Sequence, residues 1–141
     1  MKTMLSIVVA MFIASYISND LFSADLSSTN LNIIKGPNNL ENIKVIKLSS
    51  DQHASQFLIF VKKRVRLHRH LSHSESIYVL EGEGDFQLAD KTFTISTGDF
   101  IQVPENTLHG VIVTSTIPLK VLSIQAPEFF GKDRSYSPTQ D

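Results

Sequence analysis

Three histidines and a carboxylate lie within eight residues near the middle of this 141-residue chain, in the stretch from His68 to Glu75. Side chains at positions i and i+2 of a β-strand point to the same face, so His68 and His70 can hold one ion between them if this stretch is extended. On a helix the same two side chains would lie about 200° apart and could not chelate. The spacing therefore favours a strand that carries part of a metal site.

A fourth histidine can complete the ligand set from a distance. His109 lies more than thirty residues beyond Glu75 in the sequence. Imidazole nitrogens with one carboxylate oxygen suit Fe, Mn, Ni, Cu, Co or Zn, and not calcium, which prefers oxygen ligands alone. We therefore predict one divalent transition metal ion, of unassigned identity, at His68, His70, Glu75 and His109.

The candidates for a catalytic role are His73, Glu75, Tyr78 and Arg66, although the sequence assigns this role to none of them. His73 lies in the loop before Glu75 and could be a ligand, a proton carrier or an exposed residue. An exposed or rim position is preferred, because a hydrated histidine costs little. Arg66 shares strand parity with the histidines and could meet an anionic substrate group or form an ordinary ion pair. Tyr78 could face the pocket or the second sheet.

The composition is ordinary for a globular protein and argues against a nucleic-acid partner. The chain is 42% hydrophobic and 19% charged, with a net charge of −1. Its one basic cluster, residues 62–66, is interpreted as a solvated strand edge or turn, with contact to an anionic substrate as the alternative. The chain has no cysteine, which excludes disulfides, thiolate catalysis and thiolate zinc sites.

Residues 1–24 have the pattern of a signal peptide. Lys2 supplies a positive charge, residues 4–17 are nearly all apolar, and Ala24 is a small residue at a plausible cleavage site. The apolar run is too short for a comfortable membrane span. We predict cleavage after Ala24 and a secreted or periplasmic protein. The alternative is an uncleaved segment that anchors the protein to a membrane.

Short strands at regular spacing follow a polar leader, residues 25–42, whose few apolar side chains could form a short strand or lie across a barrel. Alternating apolar residues and Gly and Pro turns predict an all-β sandwich or barrel. The predicted strands are 43–48, 56–62, 65–70, 76–81, 84–89, 91–96, 99–103, 108–114 and 118–125. In the C-terminal tail, residues 127–141, Phe129 and Phe130 could pack back on the barrel, and the chain from Ser135 is predicted to be loose.

Two separated motifs together resemble those of the cupin superfamily. The first is His-x-His, four residues, Glu, six residues and Gly, and it ends at Gly82. The second is Gly, five residues, Pro, four residues and His, and it ends at His109. This resemblance covers residues 43–126. It implies a double-stranded β-helix, or jelly-roll, barrel with the four ligands predicted above.

Three positions depart from the family pattern, and none of them is a ligand. Lys62 stands at the first glycine of the family motif, Asn106 at the glycine after the proline, and Val113 at the final asparagine. Asparagine tolerates positive φ better than most residues, so Asn106 can still serve the turn. The departures leave the subfamily, and with it the substrate, unassigned.

Resemblance to cupins implies a small-molecule metalloenzyme, either dioxygenase-like or a Lewis-acid isomerase or lyase. The alternative is a non-catalytic binding module for a sugar, an organic acid or the metal itself. The expected partners are a small-molecule ligand or substrate and, by resemblance, a second copy of the chain in a homodimer. Membrane contact is expected only if the N-terminal segment stays uncleaved.

Overall fold

The computed structural model describes residues 28–137, and this part of the chain is nearly all β-structure. The predicted signal peptide lies outside the described residues. A short 3-10 helix, Leu31–Ile33, precedes the strands. The strands are β1 (Ile43–Ser50), β2 (Ser55–Val61), β3 (Arg64–His70), β4 (Ser74–Glu81), β5 (Glu83–Leu88), β6 (Lys91–Ser96), β7 (Phe100–Val103), β8 (His109–Val113), β9 (Leu119–Ala126) and β10 (Arg134–Tyr136).

The strands form two five-stranded antiparallel sheets that face each other. The first sheet has the order β1-β2-β9-β4-β7, and the second has the order β10-β3-β8-β5-β6. From β2 to β5, and again from β6 to β10, each strand lies in the opposite sheet to the one before it. This arrangement confirms the predicted all-β jelly roll. The first nine strands begin and end within two residues of the predicted positions.

The core lies between the sheets and follows the alternation of the strands. In β4, Glu75, Ile77 and Val79 are buried while Tyr78 between them is exposed. Buried and exposed residues alternate in the same way at the start of β5 and in β7, because successive side chains of a strand point to opposite faces. The inner core consists of Val61, Ile77, Val79, Phe86, Ile95, Ile101, Val103, Val111, Leu119 and Val121.

The described part of the leader packs across the outer face of the first sheet. Leu40 is buried with Leu58 and Phe60, and Ile34 packs against them. Lys120 points to this outer face yet is almost fully buried, and its Nζ donates to Asn32 O at 3.5 Å. Of the two expectations for the leader, the described residues therefore show the one in which it lies across the barrel. No helix within residues 28–137 has both the length and the apolar character needed to cross a membrane.

The C-terminal tail returns to the second sheet. Strand β10 pairs with β3 over three residues, so the prediction of a loose chain from Ser135 is wrong for Ser135 and Tyr136. Without β10, the edge of β3 would leave backbone groups unpaired, and the tail satisfies them. The Phe129 ring packs against Phe57 with centroids 6.2 Å apart, whereas Phe130 is exposed.

Candidate metal centre

The four predicted ligands form one buried cluster between the sheets. One ligand atom from each of His68, His70, Glu75 and His109 lies within 4.8 Å of the others. The three histidines come from β3 and β8 of the second sheet, and Glu75 comes from β4 of the first. His68 and His109 are direct cross-strand partners, with ring centroids 4.3 Å apart. Metal binding by this cluster stays a prediction.

Backbone carbonyls orient two of the rings. His68 Nδ1 donates to Arg66 O at 2.9 Å, and His109 Nδ1 donates to Thr107 O at 2.9 Å. Because a carbonyl can only accept, we assign the ring proton to Nδ1 in both residues. In a neutral ring, Nε2 then carries the lone pair and points into the cluster.

A carboxylate from the tail orients the third ring. His70 Nδ1 donates to Asp133 Oδ1 at 3.1 Å. His70 Nε2 is buried and has no hydrogen-bond partner among the described residues, although it lies 3.4 Å from Glu75 Oε2. An unsatisfied buried nitrogen costs about 1–3 kcal/mol, and a cation between the two atoms would remove that cost. The donor set therefore fits a metal ion.

Glu75 supplies the negative charge of the cluster. Its Oε1 accepts a hydrogen bond from Ser123 Oγ and its Oε2 lies 3.1 Å from His109 Nε2. Burial alone would raise the pKa of Glu75, but the contacts with His109, His70 and Ser123 outweigh it and hold that pKa well below its usual range. The carboxyl is therefore charged at neutral pH. Sequence reasoning did not find Ser123 or its neighbour Gln125, which offers Nε2 to the same oxygen at 3.5 Å.

The protein environment shifts the pKa values of His68 and His70 in opposite directions. Burial, assisted by the nearby His109, lowers the pKa of His68 to about 4. Burial also opposes the charged form of His70, but the carboxylates of Glu75 and Asp133 outweigh it and raise the pKa of His70. His68 is therefore neutral at physiological pH, which is the form that binds a metal.

His73 is buried, which corrects the preferred prediction of an exposed or rim position. Its Nδ1 donates to Asp133 Oδ2, and its Nε2 lies 2.9 Å from Glu128 O. The ring also packs edge-on against Phe129, with centroids 5.3 Å apart. The tail covers this loop, and the local sequence around His73 gives no sign of that cover. Both ring nitrogens are engaged outside the cluster.

Asp133 is a further residue of the centre that sequence reasoning missed. Its two oxygens bridge His70 and His73, and Oδ2 also accepts from Ser72 N at 3.3 Å. Burial would raise the pKa of Asp133, but the hydrogen bonds from both histidines outweigh it and lower that pKa. The only sequence signal was the pair of aromatic residues shortly before it, which indicated that the tail could pack back.

Arg66 does not face the cluster, so the parity prediction for this residue is wrong. The pairing of β3 with β8 shifts between Val65 and His68, and this bulge inverts the alternation. The Arg66 side chain is exposed and lies over the Tyr136 ring, 5.4 Å from its centroid. Lys62, in the turn before β3, is also exposed, as expected for a solvated turn.

Tyr78 takes the outer of its two predicted orientations. It lies on the face of the first sheet that points away from the cluster, where it is 42% exposed and pairs with Phe100 of β7. It therefore does not line the space beside the cluster. Of the four catalytic candidates, only Glu75 lines the cavity beside the cluster.

A cavity that opens to solvent lies between the sheets and reaches His68, Glu75 and His109. The walls are mainly apolar, and one arginine, Arg134 of β10, also lines the cavity. Representative wall residues are Ile59, Val61, Phe86, Ile95 and Val121.

Comparison with known sequences assigns the family. A model of the cupin domain matches residues 58–125. An uncharacterised protein of Aquifex aeolicus (strain VF5) is 34% identical over 94 residues, which are 67% of this chain and 77% of that protein. An uncharacterised protein of Methanocaldococcus jannaschii is 30% identical over 82 residues, which are 58% of this chain and 66% of that protein. The chain belongs to the cupin family.

Solved structures show the same fold at low sequence identity. KdgF from Halomonas sp. has a TM-score of 0.61 at 18% identity and covers 67% of this chain and 86% of its own. A Klebsiella pneumoniae protein with a double-stranded β-helix domain has a TM-score of 0.62 at 14% identity, with 74% and 90% covered. A variant of Streptomyces PAC13 with uridine has a TM-score of 0.61 at 22% identity, with 70% and 81% covered.

Proposed function

We propose that this protein is a metal-dependent enzyme that acts on a small molecule. One divalent transition metal ion would be held by His68, His70, Glu75 and His109. The observation that carries the proposal is that three imidazole rings and a charged carboxylate converge while every Nδ1 is engaged elsewhere. Because each Nδ1 donates elsewhere, the three Nε2 atoms are the ring nitrogens left to bind a cation, and the charged carboxylate of Glu75 would attract it.

The cavity gives a substrate access to this centre. A bound ion of this kind supplies Lewis acidity or, if it is redox-active, activation of dioxygen. The apolar walls around His68, Glu75 and His109 lower the local polarity, which would strengthen the electrostatic effect of the cluster on a bound molecule. The reaction classes that fit are a dioxygenase-like oxidation and an isomerase or lyase reaction. Pac13, a structural neighbour, is a nucleoside dehydratase, so this type of barrel can support enzyme chemistry.

A non-catalytic binding module is the second candidate, and one observation favours it. Among the described residues that line the cavity, the acidic and histidine side chains are Glu75, His68 and His109, and all three are predicted metal ligands, so the lining offers no separate general acid or base. His73 lies outside the lining and is engaged with Asp133. A sugar, an organic acid or the metal itself could then be the bound species.

Elemental analysis of protein purified without chelators tests the proposal directly. We expect about one transition metal ion per chain, as one four-residue cluster implies. The same protein is then tested for dioxygen uptake with phenols, thiols and keto acids, and by proton NMR for isomerisation or elimination of hydroxy and keto compounds. Absence of bound metal after supply of all six candidate ions contradicts the proposal. Ligand-dependent thermal stabilisation without turnover supports the binding module instead.

We also propose that the protein is exported, which rests on the signal-like pattern of residues 1–24 and on the lack of cysteine. N-terminal sequencing of the protein recovered from its native host is expected to begin at Asp25. Recovery of the intact N-terminus from a membrane fraction would favour the anchored form.

A further inference from the structure

Arg134 stands at the mouth of the cavity, on the edge strand of the second sheet. It pairs with His70 across β10 and β3, and its guanidinium carbon lies 5.3 Å from the Phe129 ring centroid. Strand β1, at the edge of the first sheet, lines the same cavity. There, Ile43 and Val45 line the cavity although each is 44% exposed. The mouth therefore has an apolar lip on β1 and a cationic lip on β10.

The guanidinium of Arg134 has no counter-charge in the described part of the chain. Within residues 28–137 no carboxylate forms an ion pair with it, and it is the one lysine or arginine side chain that lines the cavity. Arg66, another arginine of the second sheet, lies over Tyr136 and outside the lining. Arg134 is exposed, and a planar guanidinium at such a position can bind a carboxylate through two parallel hydrogen bonds.

We propose that the cavity takes a small organic monocarboxylate, with the carboxylate on Arg134 and the apolar body between the β1 lip and the inner walls. This inference rests on the proposed function, because it names the substrate class of the same site. One guanidinium neutralises one carboxylate, whereas a phosphate ester with nearly two charges would remain under-compensated by the described lining. The single guanidinium of the described lining therefore favours a singly charged carboxylate over a phosphate.

The side chain of Arg134 can be changed without breaking the strand that carries it. Strand β10 is held to β3 by backbone pairing, which does not depend on the guanidinium. Arg134→Gln keeps the length and polarity and removes the charge. Arg134→Lys keeps the charge and removes the planar guanidinium that can make two parallel hydrogen bonds. Arg66→Gln is the matched control, because it removes an arginine of the same sheet that lies outside the cavity.

Isothermal titration with benzoate, 4-methylpentanoate, benzamide and phenyl phosphate tests the proposal, on both the metal-free and the zinc-loaded protein. Wild type is expected to bind benzoate at least about tenfold more tightly than benzamide, which has the same shape without the charge. Arg134→Gln should lose about tenfold or more for benzoate and little for benzamide, and Arg134→Lys should lie between the two. Arg66→Gln should stay within about twofold of wild type.

Three results would overturn the inference: no carboxylate binding by wild type, unchanged benzoate affinity in Arg134→Gln, or tighter Arg134-dependent binding of phenyl phosphate than of benzoate. If Arg134→Gln does not fold, the ratio of benzoate to benzamide affinity and the Arg134→Lys variant decide the question. Metal content is measured on the same samples. Loss of metal binding by wild type contradicts the proposed function, while the titration of metal-free protein still tests Arg134.

Discussion

The orientation of three imidazole rings decides what the buried cluster can bind. Each Nδ1 donates to an acceptor that is itself fixed, a backbone carbonyl for His68 and His109 and the Asp133 carboxylate for His70. Such outer partners fix the tautomer and the direction of a metal-ligating histidine. The rotamers therefore need little rearrangement on metal binding.

Removal of one ligand should abolish metal retention. We expect His70→Ala and His109→Ala to lose the metal and to melt at the temperature of wild-type protein treated with chelator, because metal binding and folding stability are linked. Metal content per chain and thermal unfolding with and without chelator measure this. His53→Ala is the control, since His53 is exposed and outside the cluster. Stoichiometric metal in either ligand variant would show that the site is elsewhere.

Asp133 should tune the metal affinity without being a ligand. Asp133→Asn removes the charge behind His70 Nδ1 while leaving an acceptor oxygen, and we expect metal affinity to fall by about 10- to 100-fold. Competition with a chromogenic chelator gives the dissociation constant. Asp85→Asn serves as the comparison. Asp85 of β5 is an exposed carboxylate outside the cluster, and it accepts a hydrogen bond from Thr94 of β6. Equal affinities in the two variants would exclude a positioning role for Asp133.

At the scale of single elements, a bulge and a turn decide which side chains of the neighbouring strands face the cluster. The bulge in β3 buries both Leu67 and His68 and turns Arg66 outward. Asn106 has a φ of 57°, as expected for the residue that replaces a family glycine. The backbone N–H of Asn106 donates to the backbone O of His70 at 2.7 Å. The turn before β8 is thereby tied to the strand that carries two of the ligands.

The leader is held on the first sheet by a buried lysine. Lys120 Nζ lies 3.0 Å from Glu81 Oε1. Glu81→Gln would leave that ammonium buried without a carboxylate, and we expect a loss of about 1–3 kcal/mol, less than for a fully buried pair because the Glu81 side chain is 36% exposed. Adding Lys120→Met should restore most of the loss. Urea unfolding measures both effects, and a double variant that is less stable than Glu81→Gln would contradict this account.

The same pair predicts a dependence on pH. The hydrogen bond from Lys120 lowers the pKa of Glu81 below its usual range. A depressed carboxyl pKa contributes stability that is present above the unfolded value and lost as pH falls through the folded value. The difference in unfolding free energy between wild type and Glu81→Gln should therefore be largest near neutral pH and shrink below about pH 4. If this difference in unfolding free energy grows as the pH falls, the prediction is wrong.

At the scale of the whole molecule, the homodimer remains a prediction. The outer face of the first sheet carries Tyr78 and Phe100 as cross-strand neighbours, 42% and 64% exposed. Exposed aromatic pairs of this kind are typical of association surfaces. Light scattering is expected to give twice the mass of one chain, and Phe100→Asp should give the mass of one chain. Phe130→Asp, which changes an exposed aromatic residue of the tail, should leave the dimer intact. A monomeric wild type would contradict the prediction.

The sequence by itself determined the first nine strands, the fold family and the four residues of the cluster. Strand alternation and the His68 to Glu75 spacing are local properties, and the motif that ends at His109 is specific enough to resemble a known family. Only the tertiary structure decided which way Arg66 points, because parity along a strand is lost at a bulge. It alone also placed Asp133 and Arg134 beside His70, more than sixty residues away in the chain. That contact depends on how the tail registers against an edge strand, and no local pattern in the sequence encodes such a long-range pairing.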